Sequence, residues 1–285
     1  MNIIDTTKEF FQLWEHNTPF TLGHLDTYYG RFPDIFDTYF KSHCTRTPTR
    51  LNSAIERYPA TVDTMKRCVA LLPSLVAEVY DEMSGLLQHA LPMEIRLLVG
   101  GFGSNAYVTH DGTLHFAVEL LPCETALLRV LIAHEMAHAF HFRLLTEAGF
   151  QFSQLAWDGY TSLYLEGLAT FVSMLLNPGL PEAAYFSFDN SGGDWVSFCR
   201  NHYEDIKERI NDDLQHWDME QEIEWFRLRG GKTYGMNRLG YFIGTEFISS
   251  CVESIGLIDT MRLWGMQDIQ PVVQHWMSGT PYPFE

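Results

Sequence analysis

The 285 residues carry 19 basic and 36 acidic side chains, a net charge of −17, and 46% of them are hydrophobic. That balance argues against nucleic acid or an anionic membrane as the main partner, since both require a positive footprint. The length and apolar content suffice for one large domain or two smaller ones packed together.

The first ninety residues read as a helical N-terminal region rich in aromatics, distinct from a domain over 91–285. "TKEFFQLWEH" and "RFPDIFDTYFKSH" both repeat large apolar residues at helical spacing, and a longer pattern runs from about Thr61 to Ala90, with a break or kink expected at Pro73. The texture then changes. "MEIRLLVGG", "NAYVT" and "TLHFAVEL" are short β-branched or aromatic runs with "HDG" as a turn between the last two, so two or three strands are expected. The glycines of "GGFGSN" lead into another strand and not a helix, which favours a hairpin connection over a phosphate-binding loop.

A long helix is predicted from Glu124 to about Glu147, with Gly149 as its C-cap, and a second from about Tyr160 to Leu176, stopping at "NPG". After a loop rich in Phe, Gly and Asp, "DWVSFCRNHYEDIKERINDDLQ" reads as one amphipathic helix. "MEQEIEWFRLRGG", "MNRLGYFIGTEFISSCVESIG" and "IDTMRLWG" complete a helical C-terminal half. One small sheet in a mostly helical chain is an α+β architecture.

The chemistry centres on His134-Glu135-Met136-Ala137-His138. On a helix, residues four apart lie on one face about 6 Å apart, so two imidazoles can converge on one zinc ion. Glu135 sits about 100° round the helix, near the metal but not on it, where it can take a proton from a water as general base. The apolar flanks "VLIA" and "MAHAF" make buried His and Glu costly unless something satisfies them. A pair of hydrogen-bonded core histidines is the plainer alternative. His141, seven residues after His134, rises about 10 Å and lies beyond comfortable reach of the same metal, so it reads as a packed or supporting residue.

The third ligand has to come from elsewhere, and "YTSLYLEGLATFVSM" offers Glu166 in a narrow polar stripe with Ser162, Thr170 and Ser173. Gly167 beside it suggests close approach of another helix. A Glu166–Arg238 ion pair is the competing reading, and Glu147 and Asp158 are substitute ligands. Further on, Arg238, Tyr241 and Thr245 share one face of a predicted helix. Tyr241, helped by Arg238, is a candidate donor to a developing oxyanion, and a packed aromatic with an exposed hydroxyl is the alternative reading of the same residue.

H-E-x-x-H followed by a Glu on the next helix resembles the gluzincin group of zinc metallopeptidases. "YLEGLATF" is similar to the E-G-L-A segment of small bacterial members, in particular a bacterial domain-of-unknown-function family of predicted zinc-dependent proteases. The strand-rich segment before "HEMAH" and the late Gly240-Tyr241-Phe242-Ile243-Gly244 also match, so the likeness covers roughly residues 90–260. It implies a zincin-like fold, a small sheet packed on the motif helix with its edge strand aligning an extended peptide. It also implies one zinc on His134, His138 and Glu166, with Glu135 as base. One departure stands out: thermolysin-like members place an Asp four residues after the ligand Glu, where this chain has Thr170.

The expectation is therefore a zinc-dependent peptidase acting on peptide or protein substrates. The alternative is a non-catalytic, zinc-stabilised scaffold that binds a peptide or partner, for which Glu135 would be superfluous. A deformylase-like arrangement would require an E-G-C-L segment ahead of the motif, which is missing. Five scattered cysteines (Cys44, Cys68, Cys123, Cys199, Cys251) without a C-x-x-C pair read as reduced thiols. The start "MNIIDTTKEFFQLWEH" lacks a signal-peptide pattern, and no apolar run approaches eighteen residues, so a cytoplasmic, non-membrane protein is expected. The sequence carries no signal of oligomeric state.

Overall fold

The computed structural model describes residues 1–152, 157–187, 192–280 and 282–284. Four short strands form one mixed sheet: β1 (Asn2–Asp5), β2 (Glu94–Leu98), β3 (Ala106–Val108) and β4 (Leu114–Ala117), in the order β1-β2-β4-β3. β1 pairs parallel with β2 (Ile3 opposite Ile95), β2 parallel with β4 (Leu97 opposite Phe116), and β3 antiparallel with β4 (Tyr107 opposite His115). The N-terminal region thus contributes a strand to the sheet. Helices dominate elsewhere, so the fold is α+β and mostly helical.

The helices α1 (Thr7–His16), α2 (Leu22–Arg31), α3 (Pro33–Ser42) and α4 (Pro48–Leu87) precede β2. Their aromatics meet: the Phe10 ring lies 5.0 Å from Tyr58 and 5.6 Å from both Phe20 and Tyr28. α4 is a single helix of 40 residues, started by a Thr47 cap and containing both Pro59 and Pro73. It begins earlier than the apolar pattern suggested, and no break divides it at Pro73. Burial of Tyr58, Met65, Cys68, Leu72, Leu75, Val76 and Val79 along one face stabilises the helix through both prolines.

The "GGFGSN" segment is not a hairpin. β4 lies between β2 and β3, so the segment crosses over, and only "HDG" forms a hairpin turn. Its backbone is held from several sides. The Glu119 carboxylate accepts from Gly100 N (2.9 Å) and Phe102 N (3.1 Å), the Tyr39 hydroxyl accepts from Gly101 N and Gly103 N, and Tyr58 donates to Gly100 O (2.6 Å). A Cβ on Gly100 would lie 2.3 Å from the Tyr39 hydroxyl, so this glycine is set by close approach. The loop amides bind an anion after all, a carboxylate of the same chain. Burial pushes that carboxyl up to about 7, against the opposing effect of the amides.

α5 (Thr125–Glu147) packs against β3, β4 and α4, so the sheet lies on the motif helix. Its C-cap is Ala148 and not Gly149, which follows at φ +86°. α6 (Gly159–Leu176) is started by Asp158, whose carboxylate accepts from Thr161 N (3.0 Å), and it packs on α5. α7 (Ala183–Ser187) falls within the Phe-, Gly- and Asp-rich connection, of which residues 188–191 lie outside the described residues. The predicted single amphipathic helix is two, α8 (Gly193–Asn201) and α9 (Tyr203–Leu214). α10 (Met219–Phe226), α11 (Leu239–Ile255), α12 (Leu257–Met266) and α13 (Ile269–Met277) follow.

α11 lies along α6 at backbone contact. A Cβ on Gly167 would come within 2.2 Å of Gly244 O, and one on Gly244 within 2.4 Å of Leu163 O. Among the described residues no single helix is long and apolar enough to cross a membrane. α11 and α12 pass such a test only together, and they meet at 107°.

Candidate metal centre

α5 is apolar nearly all round and buried, so its polar residues have little water to turn to. His134 is 3% exposed, and one turn later His138 presents its ring on the same face, with centroids 5.0 Å apart. The facing helix α6 brings Glu166 between them. Glu166 Oε2 lies 3.3 Å from His134 Nε2 and 3.7 Å from His138 Nε2. The same oxygen is buried, with these two ring nitrogens as its polar neighbours.

One ligand atom from each of the three residues lies within 4.8 Å of the others, a group able to hold a metal ion. A tetrahedral ion with bonds of about 2.0–2.2 Å sets its ligand atoms roughly 3.3–3.6 Å apart, close to the 3.3 and 3.7 Å that separate the carboxylate oxygen from the two ring nitrogens. Two neutral imidazoles and one carboxylate also leave a fourth position for a small ligand.

The electrostatics fit a cation. Burial pulls His134 down to about 4, against the pull of Glu166. Burial acts the same way on His138, but the hydrogen-bonding and charge of Glu166 outweigh it and leave its pKa raised. Burial works against ionising Glu166, yet the two imidazoles hold its carboxyl well below the usual carboxylate range. The site therefore keeps a carboxylate ready and one imidazole neutral. Glu135, beside His134 and 8% exposed, stays outside the ligand group. Burial raises it to about 7, His138 opposing and Glu166 adding to the rise.

Among the remaining residues singled out above, His141 is fully buried against Tyr164 and Trp264 and does not join the ligands. Glu147 pairs with His89 (2.7 Å) and Asp158 is spent on the α6 cap, so neither substitutes for Glu166. Thr170 is fully buried, and its hydroxyl finds no hydrogen-bond partner among the described residues. α11 begins only at Leu239, with Arg238 at its N-cap in the left-handed region (φ +60°). Thr245 turns its hydroxyl back to Tyr241 O (2.8 Å) and is withdrawn from the site. Tyr241 and Arg238 do reach it. The Tyr241 ring stacks near His134 at 6.1 Å, and the Arg238 guanidinium lies 4.3 Å from the centre of the Tyr241 ring. Burial, with the Glu166 charge adding to it, holds the Tyr241 phenol protonated far above its ordinary range.

No family model, characterised protein or solved structure matches the chain.

Sequence reasoning missed a second polar chain. Ser162, one turn before Glu166, donates to Glu222 Oε2 (2.9 Å), and Glu222 Oε1 accepts from Arg227 (2.6 Å). The Arg227 charge is felt at Glu166, Tyr241 and His43. Ser162 was visible in the polar stripe of α6, but nothing local linked it to a residue sixty positions away.

Proposed function

We propose that the chain is a single-zinc peptidase with His134, His138 and Glu166 as metal ligands and Glu135 as general base. The carrying observation is the pairing of a three-residue ligand group with an adjacent buried carboxyl that does not belong to it. A purely structural site would have no use for Glu135.

A bound zinc ion would supply Lewis-acid polarisation of the scissile carbonyl and of the attacking water. Glu135 takes the water's proton and returns it to the leaving amine. Its carboxyl, raised to about 7, is a stronger base than an exposed glutamate and still ionises near neutral pH. Tyr241, kept protonated, donates to the developing oxyanion, and Arg238 against its ring adds positive charge on that side. β3 is the edge strand beside α5, and its outer side is where an extended peptide would align by backbone pairing. All five cysteines are free thiols.

Glu135→Gln decides between catalysis and a structural role for the metal. It should retain about one zinc per chain and lose peptide hydrolysis by roughly 10²- to 10⁴-fold. Full activity in that variant would refute the assignment.

A further inference from the structure

Basic residues are scarce in this chain, 19 against 36 acidic ones, yet four of them (Arg227, Arg229, Lys232 and Arg238) fall within residues 227–238, a stretch without a single Asp or Glu. That stretch joins α10 to α11 and borders the ligand group. Glu224, from α10, fixes its shape by accepting from Lys232 N (2.9 Å) and Thr233 N (2.8 Å). Arg238 rests on Tyr241. Arg227 is held by Glu222, which Ser162 ties to the helix that supplies Glu166. The Glu222 bond uses one nitrogen of a fork with five donors, and 58% of the Arg227 side chain remains exposed.

On its other side Arg227 comes within electrostatic reach of His43, at the end of α3. His43 stacks at 3.6 Å on Tyr107 of the edge strand β3, and its carbonyl lies against Gly103. His43 thus ties the end of α3 to the edge strand, and the Arg227 charge acts on that ring. The exposed guanidinium of Arg227, tied through Glu222 and Ser162 to the helix of Glu166, makes this flank of the ligand group a cationic corner.

We infer that this corner binds a substrate carboxylate through Arg227, so that the site acts on peptides presenting an anionic end. The inference rests on the peptidase reading for its reaction, but not for its binding chemistry. Arginine suits the task because its planar fork pairs two N–H groups with two carboxylate oxygens, and Glu222 already orients it. A terminal α-carboxylate is the form of this group that every unblocked peptide carries. An acidic side chain is the other source of the same chemistry.

The test uses the full chain loaded with zinc and N-acetylated tripeptides that share their first two residues. Three forms are compared: the free acid, the C-terminal amide, and an amide whose last residue is Glu. The free acid should be cleaved with kcat/KM about 10- to 100-fold above the plain amide, and Arg227→Gln should bring that ratio toward one. Preference for the Glu amide over the free acid would assign the corner to a side-chain carboxylate. Calorimetry on Glu135→Gln protein supplies a readout without turnover. Acetylated amino acids should bind as acids and not as amides, weakened about 10- to 100-fold by Arg227→Gln and partly restored by Arg227→Lys.

Equal cleavage and binding of acid and amide overturn the inference and leave the peptidase reading standing. Acid binding untouched by Arg227→Gln also overturns it, because the carboxylate would then sit on the metal alone. A chain that binds acids through Arg227 but cleaves no peptide overturns the peptidase reading instead. Zinc content and melting temperature check that Arg227→Gln is folded. Should it not fold, Arg227→Lys and the wild-type acid-to-amide ratio decide.

Discussion

Gly167→Ala probes the seam on which the whole arrangement depends. Its new Cβ would lie 2.2 Å from Gly244 O and 2.3 Å from Gly244 C, both backbone atoms of α11 that no rotamer change can move away. Contacts below 3.0 Å are essentially never adopted by real Cβ atoms, so α6 and α11 must separate by about 0.8 Å or more. Overpacking of this kind costs about 1–3 kcal/mol, and a backbone-on-backbone clash belongs at the upper end. In a chain of this size about 3 kcal/mol lowers Tm by roughly 6 °C or more. The functional effect should be uneven. His134, His138 and Glu166 belong to α5 and α6, whereas Tyr241 and Arg238 travel with α11. Zinc content should therefore stay near one per chain while turnover falls by about 10²-fold, the usual consequence of displacing a catalytic group by about 1 Å. The assays are thermal unfolding, metal analysis and peptide hydrolysis on one preparation. A Gly167→Ala protein with unchanged melting and unchanged turnover would refute the close seam, and one that loses zinc first would refute the division of labour across it.

Other outcomes are as specific. The wild type should retain about one zinc per chain after dialysis, and Glu166→Ala and His134→Ala should each lose it, since two remaining ligands hold a metal poorly. Tyr241→Phe should keep zinc and lower kcat by about 10²-fold while changing KM little, the pattern of a donor used only in the transition state. His115 is 1% exposed, and burial pulls it down to about 4. The unfolded chain binds a proton there below about 6.5 and the folded one does not until about 4. Stability from this group is therefore intact above 6.5 and falls by up to about 3 kcal/mol as the pH drops to 4. His115→Phe keeps a ring against Tyr107 and should flatten that part of the urea-unfolding profile. An unchanged pH slope would show that His115 does not titrate in this way.

Much of the candidate site was legible because its signal is local. The spacing of His134, Glu135 and His138 fixes their relation on any helix, and a lone carboxylate on the apolar α6 pointed to Glu166 without knowledge of the packing. α1 was readable from its apolar period alone. What escaped depends on partners distant in sequence. β1 has only four residues, and its pairing with β2 is set by the sheet and not by any pattern of its own. The hairpin expected at "GGFGSN" failed because strand order depends on where β4 inserts. Pro73 sits inside α4 because burial along the helix outweighs one lost backbone bond. The hold of Glu222 on Arg227 has local spacing but no meaning until α10 is laid against α6.

The parallel pairing of β1 with β2 has a kinetic side. Asn2 meets Glu94, so that ladder closes a loop of about ninety residues, at an entropic cost of roughly 4 kcal/mol before any reward. Two parallel strands cannot be joined by a tight turn, and the intervening chain here is the entire set of α1 to α4. Collapse of those helices shortens the effective loop, so the sheet should complete late in folding, after the aromatic cluster around Phe10 has drawn the helices together. Until then β2 is left with an open edge that another chain could pair with, which makes nascent or partly unfolded molecules the form most exposed to aggregation.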